Sequence, residues 1–174
     1  MSTKKIKKCL NEGEKGGERH KGLKRITPNL EKAKGHLHKA IRNFNAMTDF
    51  HDLNYSDWSA SAAFYALYQG LLAILALEGM ESRNQSCTFA FVEELILQGK
   101  IDKLSIEDIK EIFDQNVKEK LENSDKILDI REEMQYSTKT SLAEKEFEHL
   151  KKKTKKLFDK IRLEIEKRTA KELK

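Results

Sequence analysis

The sequence has few of the residues that mark several protein classes. It contains one proline, one tryptophan and two cysteines among 174 residues. Cys9 and Cys87 stand far apart without the Cys-x-x-Cys spacing of zinc sites, so we expect two free thiols in a reducing cytoplasm. No apolar run follows the basic N-terminus, as a secretory signal would require. A cytoplasmic protein is predicted.

Motifs of the common enzyme classes are also missing. There is no glycine-rich phosphate loop and no Gly-x-Ser-x-Gly turn, and no Glu-x-x-His spacings converge as in helical metal sites. His36 and His38 would lie about 200° apart around a helix, so they cannot hold a metal together. We expect these two and His20, His51 and His149 to be exposed to solvent. No metal and no cofactor is predicted.

Positive charge is concentrated at the N-terminus. Residues 1–25 hold nine Lys/Arg against three Glu, a net charge of +6, whereas the remainder has 25 basic and 26 acidic residues. A basic, nucleic-acid-binding body is therefore not supported. The stretch GEKGGERHKG is too polar to build a core. We predict a basic flexible arm over 1–26, serving as a solubilising tail or as an arm for RNA, and a single domain over 27–174.

Apolar residues recur every three or four positions along most of the chain, a pattern typical of amphipathic helices. Thr27-Pro28 predicts the start of the first helix in the domain, and Ser105 to Asp108 form a capping-box-like start. The spacing predicts helices over about 28–49, 56–78, 86–98, 105–117, 127–134 and 141–168, with a break near Asn123-Ser124. No segment alternates like a strand. The predicted fold is an all-α, up-and-down bundle of four to five helices with a long C-terminal helix.

The segment over residues 56–78 is apolar on every side. It has no charge over residues 60–77, which just reaches the length of a membrane span, but serine, glutamine and glycine interrupt it. We therefore expect the enclosed core helix of a bundle and no membrane insertion. Gly70 predicts the close approach of a neighbouring helix. Three aromatic residues of this segment are expected in the core rather than on a stacking surface: Trp58, Tyr65 and Tyr68.

The stretch IREEMQYST, with Arg131 near its start, indicates a candidate site. Together with FYALYQGLLAILALEG and the preceding NLEKAKGHLHKAIRNFNAM, it resembles the HEPN domain superfamily over roughly residues 29–168. The resemblance implies a helical bundle that forms a homodimer with a shared cleft. It also implies an Arg-x4-6-His motif that gives many members metal-independent ribonuclease activity. Arg131 matches the arginine, but Tyr136 stands where the histidine is expected.

The tyrosine changes the available chemistry. A tyrosine with an ordinary pKa near 10 is only about 0.1% ionised at neutral pH, which makes it a poor general base. Arg131 and Tyr136 also lie about 140° apart on a continuous helix. They converge only if the helix ends between them or a symmetric partner brings two copies together. Otherwise Arg131 pairs with Glu132, Glu133 or another surface acid, and Tyr136 packs at the end of the bundle.

Lysines near this motif are candidate contacts to nucleic acid. The run KKKTKK could follow a phosphate backbone, although acidic residues one turn away favour a solvated helix face. The candidate lysines are Lys139, Lys151, Lys152 and Lys153.

Three functions follow. The resemblance implies a dimer with little or no catalytic activity, associated with RNA or a nucleotide and partnering a nucleotidyltransferase, as in a toxin–antitoxin pair. One alternative is a metal-independent ribonuclease toxin in which Arg131 binds the scissile phosphate and Tyr136 replaces the histidine. Another is a helical scaffold that holds RNA through its N-terminal arm. We favour the first, in which nuclease activity is weak or absent.

Overall fold

The computed structural model describes residues 2–113 and 126–172, and seven α-helices and one two-stranded sheet lie in these ranges. The helices are α1 (Ser2–Lys15), α2 (Leu30–Asp52), α3 (Ser56–Leu77), α4 (Gln85–Leu97), α5 (Ile106–Ile112), α6 (Ile127–Tyr136) and α7 (Glu144–Glu172). The strands are β1 (Leu23–Arg25) and β2 (Met80–Ser82). The predicted all-α bundle is confirmed.

Helices α2 and α3 form the centre of the bundle. The amide of Asn29, before α2, donates to the carbonyl of Ala76 near the end of α3 at 3.0 Å. The two helices are therefore antiparallel, joined by a turn in which Asn54 is left-handed (φ 63°). Asn29 is the N-cap of α2, so this helix begins just after the predicted Thr27-Pro28 start.

Helix α3 is the core helix, as predicted. It is long and apolar enough to cross a membrane, but 83% of its most apolar stretch is buried inside the fold. Helix α7 packs along it. A Cβ on Gly70 would lie only 2.6 Å from Cγ2 of Ile161 on α7. The predicted close approach at Gly70 is confirmed.

The N-terminal segment differs from two predictions. Residues 2–25 of the predicted flexible arm over 1–26 are packed on the bundle, because α1 contacts α4 and β1, and β1 pairs with β2 with Leu23 opposite Ser82. Three-residue strands are too short to show alternation in a sequence. Cys9 and Cys87, predicted to be free thiols, form a disulfide bond. Their proximity arises only when α1 folds back on α4.

The capping box before α5 is confirmed. The Ser105 hydroxyl accepts a hydrogen bond from the Asp108 amide at 3.2 Å, and the Asp108 carboxylate accepts one from the Ser105 amide at 2.9 Å. Helix α5 ends at Ile112. The predicted continuation to Val117 and the predicted break near Asn123-Ser124 lie outside the described residues.

Candidate functional site

Helix α6 holds Arg131 against α3. The apolar side of α6 packs on α3. The chain after α6 is also fixed, because the amide of Leu142 donates a buried hydrogen bond of 2.9 Å to the hydroxyl of Ser56, the first residue of α3. The position of Arg131 relative to α3 is therefore defined by the packing of α6 and by this anchor after the helix. The buried side chains of α6 are Ile127, Leu128 and Met134.

One stripe of α3 remains open. Trp58, Ser61 and Tyr65 follow i, i+3, i+7 spacing and so share a helix face. Trp58 is 58% exposed and Tyr65 36% exposed, whereas Tyr68 is 8% exposed. The prediction of core aromatic residues is right for Tyr68 and wrong for Trp58 and Tyr65. An apolar helix exposes such residues wherever no neighbouring helix packs against it. The residue pattern of the helix does not show which face stays uncovered.

Arg131 lies over this stripe. Its guanidinium carbon is 5.3 Å from the centre of the Phe64 ring and 5.4 Å from that of the Tyr65 ring, within cation–π range. Its Nε is buried and has no hydrogen-bond partner. None of the ion pairs among the described residues includes Arg131. Glu133, a predicted partner, instead lies 3.3 Å from the ammonium of Lys139.

A groove of about 380 Å³ opens between α3 and α6. It combines two flat rings, one cation, one carboxylate, a hydroxyl and an amide. Such a set can bind an aromatic ring that carries an anion, with the ring stacked on an indole or phenol and the anion on the guanidinium. The lining residues are Asp57, Trp58, Ser61, Tyr65, Arg131, Met134 and Gln135.

Arg131 and Tyr136 do not meet within one chain. Helix α6 runs without a break to Tyr136, so the first of the two ways in which these residues could converge does not occur. Tyr136 is 76% exposed, which also excludes the predicted packing at the end of the bundle. Its side chain does not line the groove. A second copy of the protein is the remaining way to bring a tyrosine to Arg131.

Lys139 is engaged by acidic residues. Its ammonium lies 3.3 Å from the carboxylate of Glu133 and 3.6 Å from that of Glu146. Burial opposes the charge, but the hydrogen bonds and charges of the two carboxylates outweigh it and raise the pKa of Lys139. Its positive charge is therefore balanced locally.

The candidate lysines of α7 have separate environments. The ammonium of Lys151 lies 5.6 Å from the centre of the Phe147 ring, and that of Lys153 lies 2.7 Å from the carboxylate of Glu111. Lys152 is exposed. None of the three lines the groove beside Arg131. Their role in binding nucleic acid stays a prediction.

Three histidines are less exposed than predicted. His20 is 1% exposed; its Nε2 lies 3.1 Å from the carboxylate of Glu81, and its Nδ1 accepts a hydrogen bond of 3.4 Å from the Gly22 amide. His36 is half-buried with Nδ1 2.7 Å from Gln69, and burial lowers its pKa. His51 is also half-buried. Among the described residues, no group of three or more His, Cys, Asp or Glu forms a metal site.

The chain matches no family model, no curated protein and no solved structure. The resemblance to the HEPN superfamily therefore depends on the sequence motifs around Arg131 and in α2 and α3. The activity, the partners and the cytoplasmic location that we expect remain predictions.

Proposed function

We propose that the chain is a HEPN-like helical protein that binds a nucleotide or a segment of single-stranded RNA in the groove between α3 and α6 without cleaving it. The position of Arg131 carries this proposal. Its guanidinium lies over Phe64 and Tyr65, beside exposed Trp58, and takes part in none of the ion pairs among the described residues. A cation held on aromatic rings at an open groove is suited to an anionic ligand.

A phosphate group is a suitable hydrogen-bond acceptor for Arg131. A buried donor without a partner, such as its Nε, costs about 1–3 kcal/mol. Because Nε is covered in the free protein, the Arg131 side chain must shift before a phosphate can accept from Nε and a terminal nitrogen. That shift would remove this cost, because the guanidinium fork binds phosphate at two points. The carboxylate of Asp57 lines the same groove. Its negative charge favours a single phosphodiester over a polyphosphate.

A nucleobase matches the exposed rings. Stacking of a base on an aromatic side chain contributes about 1–3 kcal/mol per base and tolerates any base. Trp58 and Tyr65 present such rings. Ser61 and Gln135 line the groove beside them and can form hydrogen bonds with a base edge or a ribose. A flat ring joined to one phosphate describes a nucleotide within single-stranded RNA.

Binding without cleavage is supported by the composition of the groove. Metal-independent cleavage needs a group that takes a proton from the ribose hydroxyl at neutral pH. No histidine is among the described residues that line the groove, and Tyr136 lies outside it. The ribonuclease alternative is the second candidate, favoured by the presence of the Asp57 carboxylate in the same groove as Arg131. In a single chain this carboxylate, rather than Tyr136, would accept the proton.

The homodimer and the nucleotidyltransferase partner implied by the resemblance belong to the same proposal. A second copy seated over the open stripe of α3 would bring two Arg131 side chains into one cleft. The exposed rings of Trp58 and Tyr65 support such a contact, because large exposed apolar residues often mark interaction surfaces. Sedimentation of the purified protein without RNA tests this part separately, and a monomer would remove the shared cleft.

An RNA-binding assay with a cleavage readout tests the proposal. Labelled single-stranded RNA is titrated with the protein in a metal chelator, and its length is then checked on a denaturing gel. We expect saturable binding, intact RNA and affinity at least about tenfold lower for Arg131→Ala, whereas Arg162→Ala leaves it unchanged. Arg162 is the control because it is an exposed arginine of α7 paired with Glu166. An RNA affinity that Arg131→Ala leaves unchanged would refute the proposal. RNA cleavage that Arg131→Ala stops would establish the ribonuclease.

The alternative in which the N-terminal segment holds RNA can be separated by the same assay. Deleting residues 1–25 is unsuitable because it removes buried Cys9 and buried Leu23. Neutralising three exposed lysines of α1 with glutamine keeps the packing and removes the charge. If this variant weakens binding more than Arg131→Ala does, the RNA site is on α1. The three lysines are Lys4, Lys7 and Lys8.

A further inference from the structure

A disulfide bond attaches helix α1 to the bundle. Cys9 lies in the middle of α1 and Cys87 in the first turn of α4, 78 residues later, and each is 3% exposed. This bond is the covalent link between the basic N-terminal segment and α4.

Around Cys9, α1 packs on α4 and β1 through side chains that are mostly only partly buried. Its apolar side chains that pack against the core, Ile6 and Leu10, are only half-buried. The helix has 14 residues and includes Gly13, so it is too short and too weak a helix former to persist alone in water. Cys9 is the buried side chain among residues 4–12, so its bond to Cys87 is the attachment whose loss should loosen this helix most.

The chain after α1 is held independently of the sulfur atoms. Strand β1 pairs with β2, Leu23 is fully buried, and buried His20 contacts Glu81. Gly13 sits so close to this strand that a Cβ on it would lie 1.8 Å from the carbonyl oxygen of Leu23. Loss of the disulfide would therefore free the residues before Gly13 and leave β1 in place.

We propose that the Cys9–Cys87 bond is a redox-controlled clamp, which holds α1 on α4 when oxidised and releases the residues before Gly13 as a lysine-rich flexible arm when reduced. The two cysteines are 3% exposed, so the reducing step follows a local opening of α1. A thiolate of a cellular dithiol then attacks one sulfur, the Sγ–Sγ bond breaks and a mixed disulfide forms. The second thiol of the reductant then displaces the remaining cysteine. Two electrons and two protons pass to the protein, and the reductant leaves as a disulfide.

The clamp also explains why two sequence predictions differ from the structure. Free thiols and a flexible basic arm describe the reduced protein, whereas the structure presents the oxidised one. In proteins of reducing compartments, disulfides are usually transient or redox-sensing. The residues before Gly13 carry four lysines and one glutamate. Release of α1 would thus change how far this charge reaches from the body.

Hydrogen exchange on the full chain tests the clamp. The oxidised protein is compared with the same protein in a thiol-free reductant, after a count of free thiols has verified each state. We expect amides of residues 6–12 to exchange at least about tenfold faster after reduction, while amides of α3 and α7 keep their rates. Cys9→Ser/Cys87→Ser is the matched variant and should behave like the reduced protein without any reductant.

Three results would overturn the clamp. The first is unchanged protection of α1 after verified reduction. The second is an equal increase in exchange across α1, α3 and α7, which would make the bond a staple of the whole fold. The third is a double serine variant whose α1 stays as protected as in the oxidised protein.

Discussion

The guanidinium carbon of Arg131 lies 5.4 Å from the centre of the Tyr65 ring, so a cation from α6 covers an exposed ring of α3. This arrangement keeps the charge close to apolar surface, and none of the ion pairs among the described residues neutralises it. The guanidinium of Arg131 therefore still has one nitrogen, the buried Nε, that donates no hydrogen bond. Substitution of either Arg131 or Tyr65 should therefore change ligand binding.

The shape of the Arg131 side chain should matter as well as its charge. Arg131→Lys keeps the positive charge but loses the planar fork that binds phosphate at two points. We expect its affinity for single-stranded RNA to lie between those of the wild type and Arg131→Ala. Fluorescence anisotropy at several salt concentrations measures this. A lysine variant that binds as tightly as the wild type would show that charge alone is needed.

The Tyr136 hydroxyl should be dispensable for binding. Tyr136 is 76% exposed and lies outside the groove, so Tyr136→Phe should change the Kd for RNA by less than about twofold. Trp58→Ala is the matched aromatic substitution inside the groove, and we expect it to weaken binding about tenfold or more. If Tyr136→Phe instead abolishes binding, the tyrosine reaches the ligand from a second copy.

Gly70→Ala should destabilise the fold. The added Cβ would lie 2.6 Å from Cγ2 of Ile161, a fully buried residue. Overpacking of this kind costs about 1–3 kcal/mol. Gly35→Ala is the control, because nothing lies within 4 Å of its Cβ on the exposed side of α2, and we expect it to stabilise by about 0.5–1 kcal/mol. Urea unfolding measures both.

A double variant locates the cause of the Gly70 effect. Ile161→Ala removes the methyl group that the new Cβ would meet, so Gly70→Ala should cost less in that background than alone. An equal cost in both backgrounds would place the clash elsewhere.

The stability of the fold at acidic pH should depend on Glu81. The hydrogen bond from Lys32, helped by His20 and against the effect of burial, lowers the pKa of Glu81 from its ordinary 4.5 to about 2. A carboxyl whose pKa is lower in the folded than in the unfolded chain stabilises the fold above the unfolded pKa, and this contribution is lost as pH falls from about 4.5 towards 2. Glu81→Gln should therefore be less stable near pH 7 and lose less stability on acidification.

Urea unfolding across this pH range checks the role of Glu81. Glu31→Gln is the control, because Glu31 pairs with Lys34 on exposed surface, where ion pairs contribute little. Equal acid sensitivity of the wild type and Glu81→Gln would contradict the assignment.

The periodicity of apolar residues predicts the helices, but it does not predict contacts between segments that are distant in the sequence. Helices α2, α3, α4 and α7 were predicted within a few residues, because each buries an apolar stripe or, for α3, nearly its whole surface. The pairing of β1 with β2 and the Cys9–Cys87 bond depend on α1 folding back on α4. Neither α1 nor α4 has a local sequence pattern that predicts this contact.

The candidate site was predicted only in part. Arg131 was identified through the HEPN resemblance, but Trp58 and Tyr65 were assigned to the core. Their i, i+3, i+7 spacing was visible, yet the same spacing describes a core stripe. What exposes them is the position of α6 against α3, which the residues of α3 alone do not determine.

The most direct test of the groove uses the single tryptophan of the chain. Trp58 lines the groove, so its fluorescence reports a base stacked there. We predict saturable quenching by single-stranded RNA and by a nucleoside monophosphate, weakened about tenfold by Arg131→Ala, and none by ribose 5-phosphate, which lacks the base. Unchanged Trp58 emission at RNA concentrations that saturate binding would contradict the account, because the RNA would then bind elsewhere.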